Sequence, residues 1–211
     1  MTLWLVRHAK PLVEAGVCYG ALDVAADVAG TREAATALAA ELPREVTVLA
    51  SPLQRCEQLT HVLQGLRPDL TYKIDVRLAE MNFGAWEGQR WEAIARAELD
   101  AWTDSFATWG CGGAECVQDF MARVGAAWDE TLAQAQPTVW ITHAGVIRAA
   151  TVLAQGQRQI SRADQWPVEA PAFGCWTALP VCDPIPGTRR VLAPGQCQTG
   201  DNRDMARRDT A

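Results

Sequence analysis

The sequence predicts an α/β fold: a three-layer sandwich with a mainly parallel central sheet, helices on both faces and a helical cap insertion. Two observations support this prediction. Short apolar runs of strand length alternate with longer segments of helical periodicity, which is the pattern of parallel strands joined by helices. The chain also has 211 residues, which is enough for one domain with a substantial core.

Strands are predicted where an apolar run is short and is bounded by turn residues. The predicted strands are residues 2–7, 46–50, 72–76, 138–142, 173–179 and 189–193. The first four are separated by helical segments, as parallel strands require. We expect the last two to pair with each other at one edge of the sheet.

Helices are predicted over residues 31–42, 51–65, 90–106, 115–135 and 146–153. Pro43 ends the first of these helices. Ser51 is expected to cap the second, with Pro52 at its first helical position. The two helices within residues 90–135 are longer than a strand crossover needs, so we expect a cap over the site at about residues 85–135.

The domain organisation follows from composition along the chain. We expect a single domain over residues 1–195, without internal repeats. Residues 196–211 are polar, charged and poor in large apolar side chains, which predicts a flexible C-terminal tail.

Charge and cysteine content limit the partners and the compartment. The net charge of −6 argues against sequence-independent nucleic-acid binding, which needs a basic surface. No apolar stretch approaches the ~20 residues that cross a bilayer, so we expect no membrane partner. Seven cysteines without a CxxC pair argue against a disulfide framework and a structural zinc site, and favour the cytoplasm. We keep a homodimer open as the assembly.

Four basic side chains lie at the ends of predicted strands. Arg7 and His8 end the first strand, and His143 follows the strand at 138–142. Arg55 lies in the first turn of the helix after the strand at 46–50. Because ligands of open α/β sheets bind outside the carboxyl ends of the strands, we expect these side chains to face one crevice.

This set of side chains suits a phosphate group. Arginine presents a planar fork of donors that matches phosphate oxygens, and helix N-termini add backbone N–H groups. A neutral imidazole such as that of His8 can attack phosphorus and form a phosphohistidine. Flanking cations would stabilise the charge that develops on the phosphoryl oxygens. No metal and no cofactor are needed for this chemistry, and we expect none.

A leaving alkoxide needs a proton, and two carboxyl groups could supply it. Glu80 follows a predicted strand and has apolar neighbours, which favour the protonated form that a general acid needs. Glu87 in the same segment is the alternative. We prefer Glu80 as the acid that protonates the leaving group and as the base that activates water afterwards.

Four segments stand in order along residues 3–193: LVRHAK, ASPLQRCEQLT, LAEMNFGAWEG and ITHAGVIRA. Together they resemble the histidine phosphatase superfamily, which has the phosphoglycerate mutase-like fold. The resemblance implies that His8 is the nucleophile, that Arg7 and Arg55 bind phosphate and that Glu80 is the acid/base. It also implies that His143 is a second pocket histidine, with catalytic and phosphate-binding roles.

Further segments resemble one group within this superfamily, the alpha-ribazole phosphatases of cobalamin synthesis. These segments are EMNFGAWEG, WEAIARAELDAW and GCWTAL. The resemblance implies a phosphomonoesterase that removes phosphate from alpha-ribazole 5′-phosphate. A phosphatase of another small ester, a phosphatase of phosphohistidine on proteins, a mutase and a non-catalytic phosphoester-binding module stay open as alternatives.

The sequence departs from the family pattern at three positions. Ala9 stands where most members have glycine, which alanine replaces unless a positive φ is required. Glu14 stands where the mutases have an asparagine that helps to hold phosphate, and a carboxylate there would repel phosphate. Cys116 stands where relatives often have serine, and cysteine is a weaker helix cap.

Other candidate residues could have a structural role instead of a functional one. In the loop 17–23, Tyr19 and Gly20 are candidates for substrate contact, with loop anchoring as the alternative. His61 is expected at the surface, and neither Cys18 nor Cys56 is expected to be a nucleophile. Among the tryptophans, three are expected in the core and three in the cap, where one would touch substrate: Trp4, Trp140 and Trp176, then Trp91, Trp102 and Trp109.

Overall fold

A five-stranded sheet forms the centre of the computed structural model, which describes residues 1–181. Its strands are β1 (Thr2–Arg7), β2 (Thr47–Ala50), β3 (Tyr72–Ile74), β4 (Thr138–Thr142) and β5 (Trp176–Pro180). They lie in the order β3-β2-β4-β1-β5. The first four in sequence are parallel, whereas β5 is antiparallel to β1 at the sheet edge. The predicted fold class is therefore confirmed.

The strands that lie between others are buried on both faces. In β1, Leu3 and Leu5 join one apolar cluster, whereas Trp4 and Val6 join another on the opposite face. This alternation follows from the two-residue period of side chains along a strand. Continuous apolar runs such as these are what a parallel sheet covered on both faces requires.

The part of the chain that the structure describes contains five α-helices: α1 (Val28–Glu41), α2 (Gln54–Leu66), α3 (Arg96–Asp104), α4 (Val117–Gln134) and α5 (Ala144–Ala154). The helices α1 and α2 pack on one face of the sheet, and α4 and α5 pack on the other. No residue of α3 is fully buried, so this helix lies outside both layers. Within residues 1–181, no helix has the length and apolar character of a membrane span.

The cap is smaller than the sequence predicted. The expectation that both helices of residues 90–135 form a cap is wrong for α4, which belongs to the sandwich. Its Phe120, Val124 and Trp128 are buried in the core, where the ring of Trp128 lies 6.4 Å from that of Trp140. The apolar stripe of α4 therefore covers the sheet. We use "the cap" below for residues 79–116, which include α3.

The start of α2 also differs from the prediction. The helix begins at Gln54, and neither Ser51 nor Pro52 belongs to it. Its first N–H group, that of Gln54, donates to the carboxylate of Asp23 at 2.7 Å, so a distant loop supplies the cap that was expected from Ser51. Cys116, in contrast, does cap α4, because its Sγ accepts a hydrogen bond from the N–H of Asp119 at 3.5 Å.

Three sequence predictions concern the end of the chain. The predicted strand at 173–179 corresponds to β5, which pairs with β1. The predicted strand at 189–193 and the predicted tail at 196–211 both lie outside the described residues.

Candidate active site

The carboxyl ends of β1, β2 and β4 bring the four predicted basic side chains together. His8 follows β1, and His143 lies between β4 and α5; their ring centroids are 5.1 Å apart. Arg55, in the first turn of α2 after β2, donates from Nε to Nε2 of His8 at 3.3 Å. Arg7 is the last residue of β1.

The geometry of His8 leaves one ring nitrogen, Nε2, without a proton. Nδ1 lies 2.7 Å from the carbonyl oxygen of Ala9. A carbonyl can only accept, so Nδ1 carries the proton and Nε2 carries the lone pair. Burial, followed by the positive charge of Arg55, lowers the pKa of His8 to about 3. The ring is therefore a neutral nucleophile near pH 7.

Arg55 is fully buried and is held by the loop that follows β1. Its Nη1 donates to the carbonyl of Leu22 at 2.9 Å, and its Nη2 donates to the carbonyl of Gly20 at 2.6 Å. With the bond to His8, the guanidinium of Arg55 is held at three points.

Glu87 organises this loop through backbone groups. Its carboxylate accepts hydrogen bonds from the N–H of Ala21 at 2.8 Å, of Phe83 at 2.9 Å and of Leu22. Gly20 is tightly enclosed, because a Cβ there would meet the carbonyl oxygen of Met81 at 1.9 Å. Glu87 thus has a structural role, because it fixes this loop. Within the loop, the carbonyl of Gly20 accepts a hydrogen bond from Arg55.

Arg7 lines the cavity that is described below. Its Nη1 donates to the carbonyl of Pro171 at 3.0 Å, and its guanidinium lies 3.9 Å from the ring centroid of Phe173. These two contacts fix the plane of the group. Nε is buried and has no hydrogen-bond partner within the described residues.

His143 is fully buried beside Ser51. Its Nε2 lies 2.7 Å from Oγ of Ser51, and burial holds its pKa well below the usual range. Ser51 is thus a site residue that the sequence presented as a helix cap. Sγ of Cys56 lies 3.5 Å from the same nitrogen. Burial raises the pKa of the Cys56 thiol, and it raises that of Cys18 to about 12, so neither is a thiolate near pH 7.

Glu80 is oriented by two backbone amides. Its Oε2 accepts from the N–H of Gly145 at 3.0 Å, and its Oε1 accepts from that of Met81 at 3.1 Å. A Cβ at position 145 would lie 2.3 Å from Oε1 of Glu80. The absence of a side chain at Gly145 therefore allows this approach.

Arg123 holds the backbone that carries Glu80. Its Nη1 donates to the carbonyl of Ala79 at 2.8 Å, and its Nη2 donates to that of Glu80 at 3.0 Å. Glu115 in turn accepts from Nε of Arg123 at 2.6 Å. The sequence carried no signal for this clamp, because its residues are far apart along the chain.

A cavity of about 320 Å³ lies between the strand ends and the cap. One part of its wall is polar and consists of Arg7, His8, Tyr19, Glu80, Gly145 and Arg148. The remainder is largely aromatic and comes from the cap, from α4 and from Trp166. Arg55 and His143 contact His8 but are not part of the wall. Nothing in the sequence pattern distinguished Arg148.

Two other sequence candidates lie away from the cavity. Glu14 is 84% exposed and forms a 3.8 Å ion pair with Arg90, so its carboxylate does not face a phosphate in this cavity. His61 is exposed, as expected, and contacts the hydroxyl of Tyr72 at 2.9 Å.

A neutral imidazole, arginine donors and an oriented carboxyl group around one cavity define an enzyme site for phosphoryl chemistry. The chain matches the histidine phosphatase superfamily (branch 1) over residues 3–179. It therefore belongs to this family, and the protein is a histidine phosphatase.

Solved structures show the same fold. The mycobacterial glucosyl-3-phosphoglycerate phosphatase is 24% identical, with a TM-score of 0.71, and the match covers 84% of this chain and 89% of that one. The structure of the same phosphatase in complex with VO3 is 25% identical, with a TM-score of 0.70, and the match covers 85% of this chain and 92% of that one. The protein TTHB049 from Thermus thermophilus is 26% identical, with a TM-score of 0.65 and 93% and 100% covered. No curated protein matches the chain.

Proposed function

We propose that the protein hydrolyses phosphate monoesters through a phosphohistidine on His8 and without a metal ion. The observation that carries this proposal is the state of His8. Its proton is fixed on Nδ1 by the Ala9 carbonyl, and its pKa of about 3 leaves Nε2 unprotonated beside Arg55.

In the first step, the positive charges of Arg7, which lines the cavity, and of Arg55, which donates to His8, stabilise the negative charge of the phosphoryl group. Nε2 of His8 attacks phosphorus, and the bond from phosphorus to the ester oxygen breaks. Protonated Glu80 gives its proton to that oxygen, so an alcohol leaves. The products of this step are the alcohol, phospho-His8 and the Glu80 carboxylate.

In the second step, water attacks the phosphorus of phospho-His8. The Glu80 carboxylate takes a proton from this water, and the bond between nitrogen and phosphorus breaks. Inorganic phosphate leaves, His8 is again neutral and Glu80 is again protonated. All atoms and protons are thereby returned without a further reactant.

For the substrate, we propose alpha-ribazole 5′-phosphate, which would place the enzyme in cobalamin synthesis. The support comes from the segments EMNFGAWEG, WEAIARAELDAW and GCWTAL, and from a cavity of ligand size beneath the cap. Glucosyl-3-phosphoglycerate is a second small ester to test, because a mycobacterial structural neighbour is named for it. The cap favours either of these over a phosphohistidine on a protein.

A mutase activity and a non-catalytic phosphoester-binding function are less favoured alternatives. Glu14 does not exclude a mutase, since its carboxylate points away from the cavity. A mutase would retain the phosphoryl group and return it to a second position on the product, and inorganic phosphate release distinguishes the two. A binding module would not need His8 and Glu80 together with the Arg123 clamp.

We propose a cytoplasmic location because four buried cysteines within residues 1–181 are free thiols, as a reducing compartment would keep them: Cys18, Cys56, Cys111 and Cys116. A homodimer stays a prediction.

The function is tested by hydrolysis of p-nitrophenyl phosphate, with EDTA present. We expect wild type to turn over the ester and to be unaffected by EDTA. His8→Ala should lose at least about 10³-fold in kcat, because it loses the covalent route. His61→Ala, which removes an exposed histidine, is the matched control. Turnover by His8→Ala at the wild-type rate would contradict the nucleophile assignment.

A further inference from the structure

Ser51 and His143 are brought together by the pairing of β2 with β4. The two strands are parallel, with Ala50 opposite Ile141, and the N–H of Ser51 continues this ladder by donating to the carbonyl of Ile141 at 3.0 Å. Ser51 is the first residue after β2, and His143 is the first residue after β4. Both side chains are fully buried, and Oγ of Ser51 lies 2.7 Å from Nε2 of His143. At this distance the two groups form a hydrogen bond.

The direction of this hydrogen bond follows from the other contact of the Ser51 hydroxyl. Its Oγ accepts from the N–H of Leu53 at 3.3 Å, so one lone pair is already used. The hydroxyl hydrogen still needs an acceptor, because a buried O–H group without one is costly. Among the described residues, Nε2 of His143 is the nitrogen or oxygen acceptor within its reach. The O–H group of Ser51 is therefore the donor, and Nε2 is the acceptor.

Cys56 is the other side chain beside this pair. Its Sγ lies 3.5 Å from Nε2 and 3.9 Å from Nδ1 of His143, so it favours neither nitrogen strongly. Its own S–H group donates to the carbonyl of Thr142 at 3.5 Å. Since sulfur is a weak acceptor compared with an imidazole nitrogen, the thiol does not determine which nitrogen of His143 carries the proton.

The position of this proton matters because the ring of His143 is neutral. Burial holds the pKa of His143 well below its usual range. A neutral imidazole carries one proton, and the hydrogen bond at one nitrogen decides which of the two has it. With Nε2 accepting from Ser51, the proton lies on Nδ1. The dipole of the ring is then fixed, and its centroid lies 5.1 Å from that of His8.

We infer that Ser51 is a positioning residue, whose hydroxyl donates to Nε2 of His143 and so fixes the tautomer and the orientation of that ring beside the nucleophile. The two histidines are held in the same tautomer by opposite means, since His8 donates from Nδ1 to the carbonyl of Ala9, whereas His143 accepts at Nε2. A fixed dipole near the reacting nitrogen needs no reorganisation when charge develops on the phosphoryl group. This inference rests on the proposed phosphatase function and adds to it a residue that acts through His143.

A double-mutant cycle tests whether Ser51 acts through His143. Ser51→Ala removes the hydroxyl, and we expect kcat/KM for p-nitrophenyl phosphate to fall about tenfold. His143→Leu removes both ring nitrogens and should lose at least as much. Adding Ser51→Ala to His143→Leu should then change kcat/KM by less than about twofold, because the hydroxyl has no ring left to position.

Thr131→Val is the matched control for the loss of a buried hydroxyl. Oγ1 of Thr131 accepts from Nε1 of Trp140 at 3.2 Å, so this variant also removes a hydroxyl from a ring nitrogen. Trp140 lies in β4 but is not part of the cavity wall. The value of kcat/KM should therefore stay at that of wild type, whether or not the protein is destabilised. A loss as large as in Ser51→Ala would show that the effect is not specific to the pair of Ser51 and His143.

The tautomer can be measured on wild type by NMR with 15N-labelled histidine, so this test does not depend on the folding of a Ser51 variant. His8→Gln and His61→Gln identify the signals of the other two rings. We expect His143 to carry its proton on Nδ1 at about pH 7. In Ser51→Ala the proton should no longer be confined to Nδ1, because the donor to Nε2 is gone.

Two results would overturn the inference while leaving the proposed function intact. In an enzyme that hydrolyses p-nitrophenyl phosphate, no loss in Ser51→Ala, or the same loss with and without His143, would show that Ser51 does not act through this ring. A proton on Nε2 of His143 in wild type would show that the ring donates to Ser51 and that the assigned direction is wrong. If wild type hydrolysed no phosphate ester, the proposed function itself would fail, and this inference with it.

Discussion

The carboxylate of Glu80 accepts a 3.0 Å hydrogen bond from the backbone N–H of Gly145. This bond joins the cap to the first turn of α5, directly after His143. The approach depends on the missing side chain of Gly145, since a Cβ there would lie 2.3 Å from Oε1. The position of the proposed acid is therefore determined by the helix that directly follows the second histidine.

Gly145→Ala should displace the Glu80 carboxylate. We expect kcat to fall about 10- to 100-fold, because a shift of this size misplaces the acid relative to the leaving group. Steady-state kinetics with an alkyl phosphate will measure the loss. Gly65→Ala is the matched control, since Gly65 lies in α2 and a Cβ added there would have nothing within 4 Å. Equal activity of the two variants would show that the approach is not needed.

Arg123→Met should impair Glu80 by releasing the backbone that carries it. The variant loses the donors to the carbonyls of Ala79 and Glu80, so the carboxyl group is no longer fixed. We expect about a tenfold fall in kcat for an alkyl phosphate and a smaller fall for p-nitrophenyl phosphate, whose leaving group needs little protonation. Arg158→Met removes an exposed pair with Asp129 and serves as the control. Equal losses on both esters would indicate general structural damage.

Glu87→Gln should loosen the loop that holds Arg55. A glutamine replaces one acceptor oxygen by an NH2 group, so it loses either the bond from the N–H of Leu22 or the bonds from the N–H groups of Ala21 and Phe83. We expect inhibition by inorganic phosphate to weaken about three- to tenfold, because the guanidinium loses its fixed orientation. Glu92→Gln, at an exposed pair with Arg90, should retain wild-type inhibition. Unchanged inhibition by phosphate in Glu87→Gln would show that phosphate binding does not depend on the order of this loop.

The buried state of His8 predicts how stability depends on pH. Its pKa is about 3 in the folded protein and about 6.5 in an unfolded chain. Between these values the unfolded state binds more protons at His8, so the free energy of unfolding decreases as pH falls below about 6.5. His8 alone would contribute a slope of about 1.4 kcal/mol per pH unit within this window.

Denaturant unfolding of His8→Gln at pH 7 and pH 5 tests this dependence. The variant should lose less stability between the two values than wild type, by about 1–2 kcal/mol. His61→Gln changes an exposed ring and should follow wild type. A pH dependence in His8→Gln as steep as in wild type would contradict a buried, neutral His8.

Local sequence patterns were sufficient for the sheet and for the residues that follow its strands. The runs TLWLVR and TVWIT are apolar enough to be central strands, and this placed His8 and His143 at one edge. Arg55 followed from its position in the helix after β2. These predictions depend only on the order of residues along the chain, so they could be made from the sequence.

Contacts between distant segments could not be predicted in this way. Ser51 was given a capping role because Ser-Pro is a local helix-start signal, whereas its hydroxyl contacts His143, 92 residues away. The periodicity of α4 showed an apolar face but not which surface covers it. The Arg123 clamp likewise depends on tertiary packing.

The most direct test of the account is to detect phospho-His8 itself. Wild type should be mixed with p-nitrophenyl phosphate and quenched at alkaline pH within milliseconds, and its peptides analysed by mass spectrometry. The account predicts one phosphoryl group on the peptide that contains His8, formed and lost at rates that match turnover, and none in His8→Ala. A phosphoryl group on another residue, or turnover with no phosphorylated His8 at any time, would contradict it.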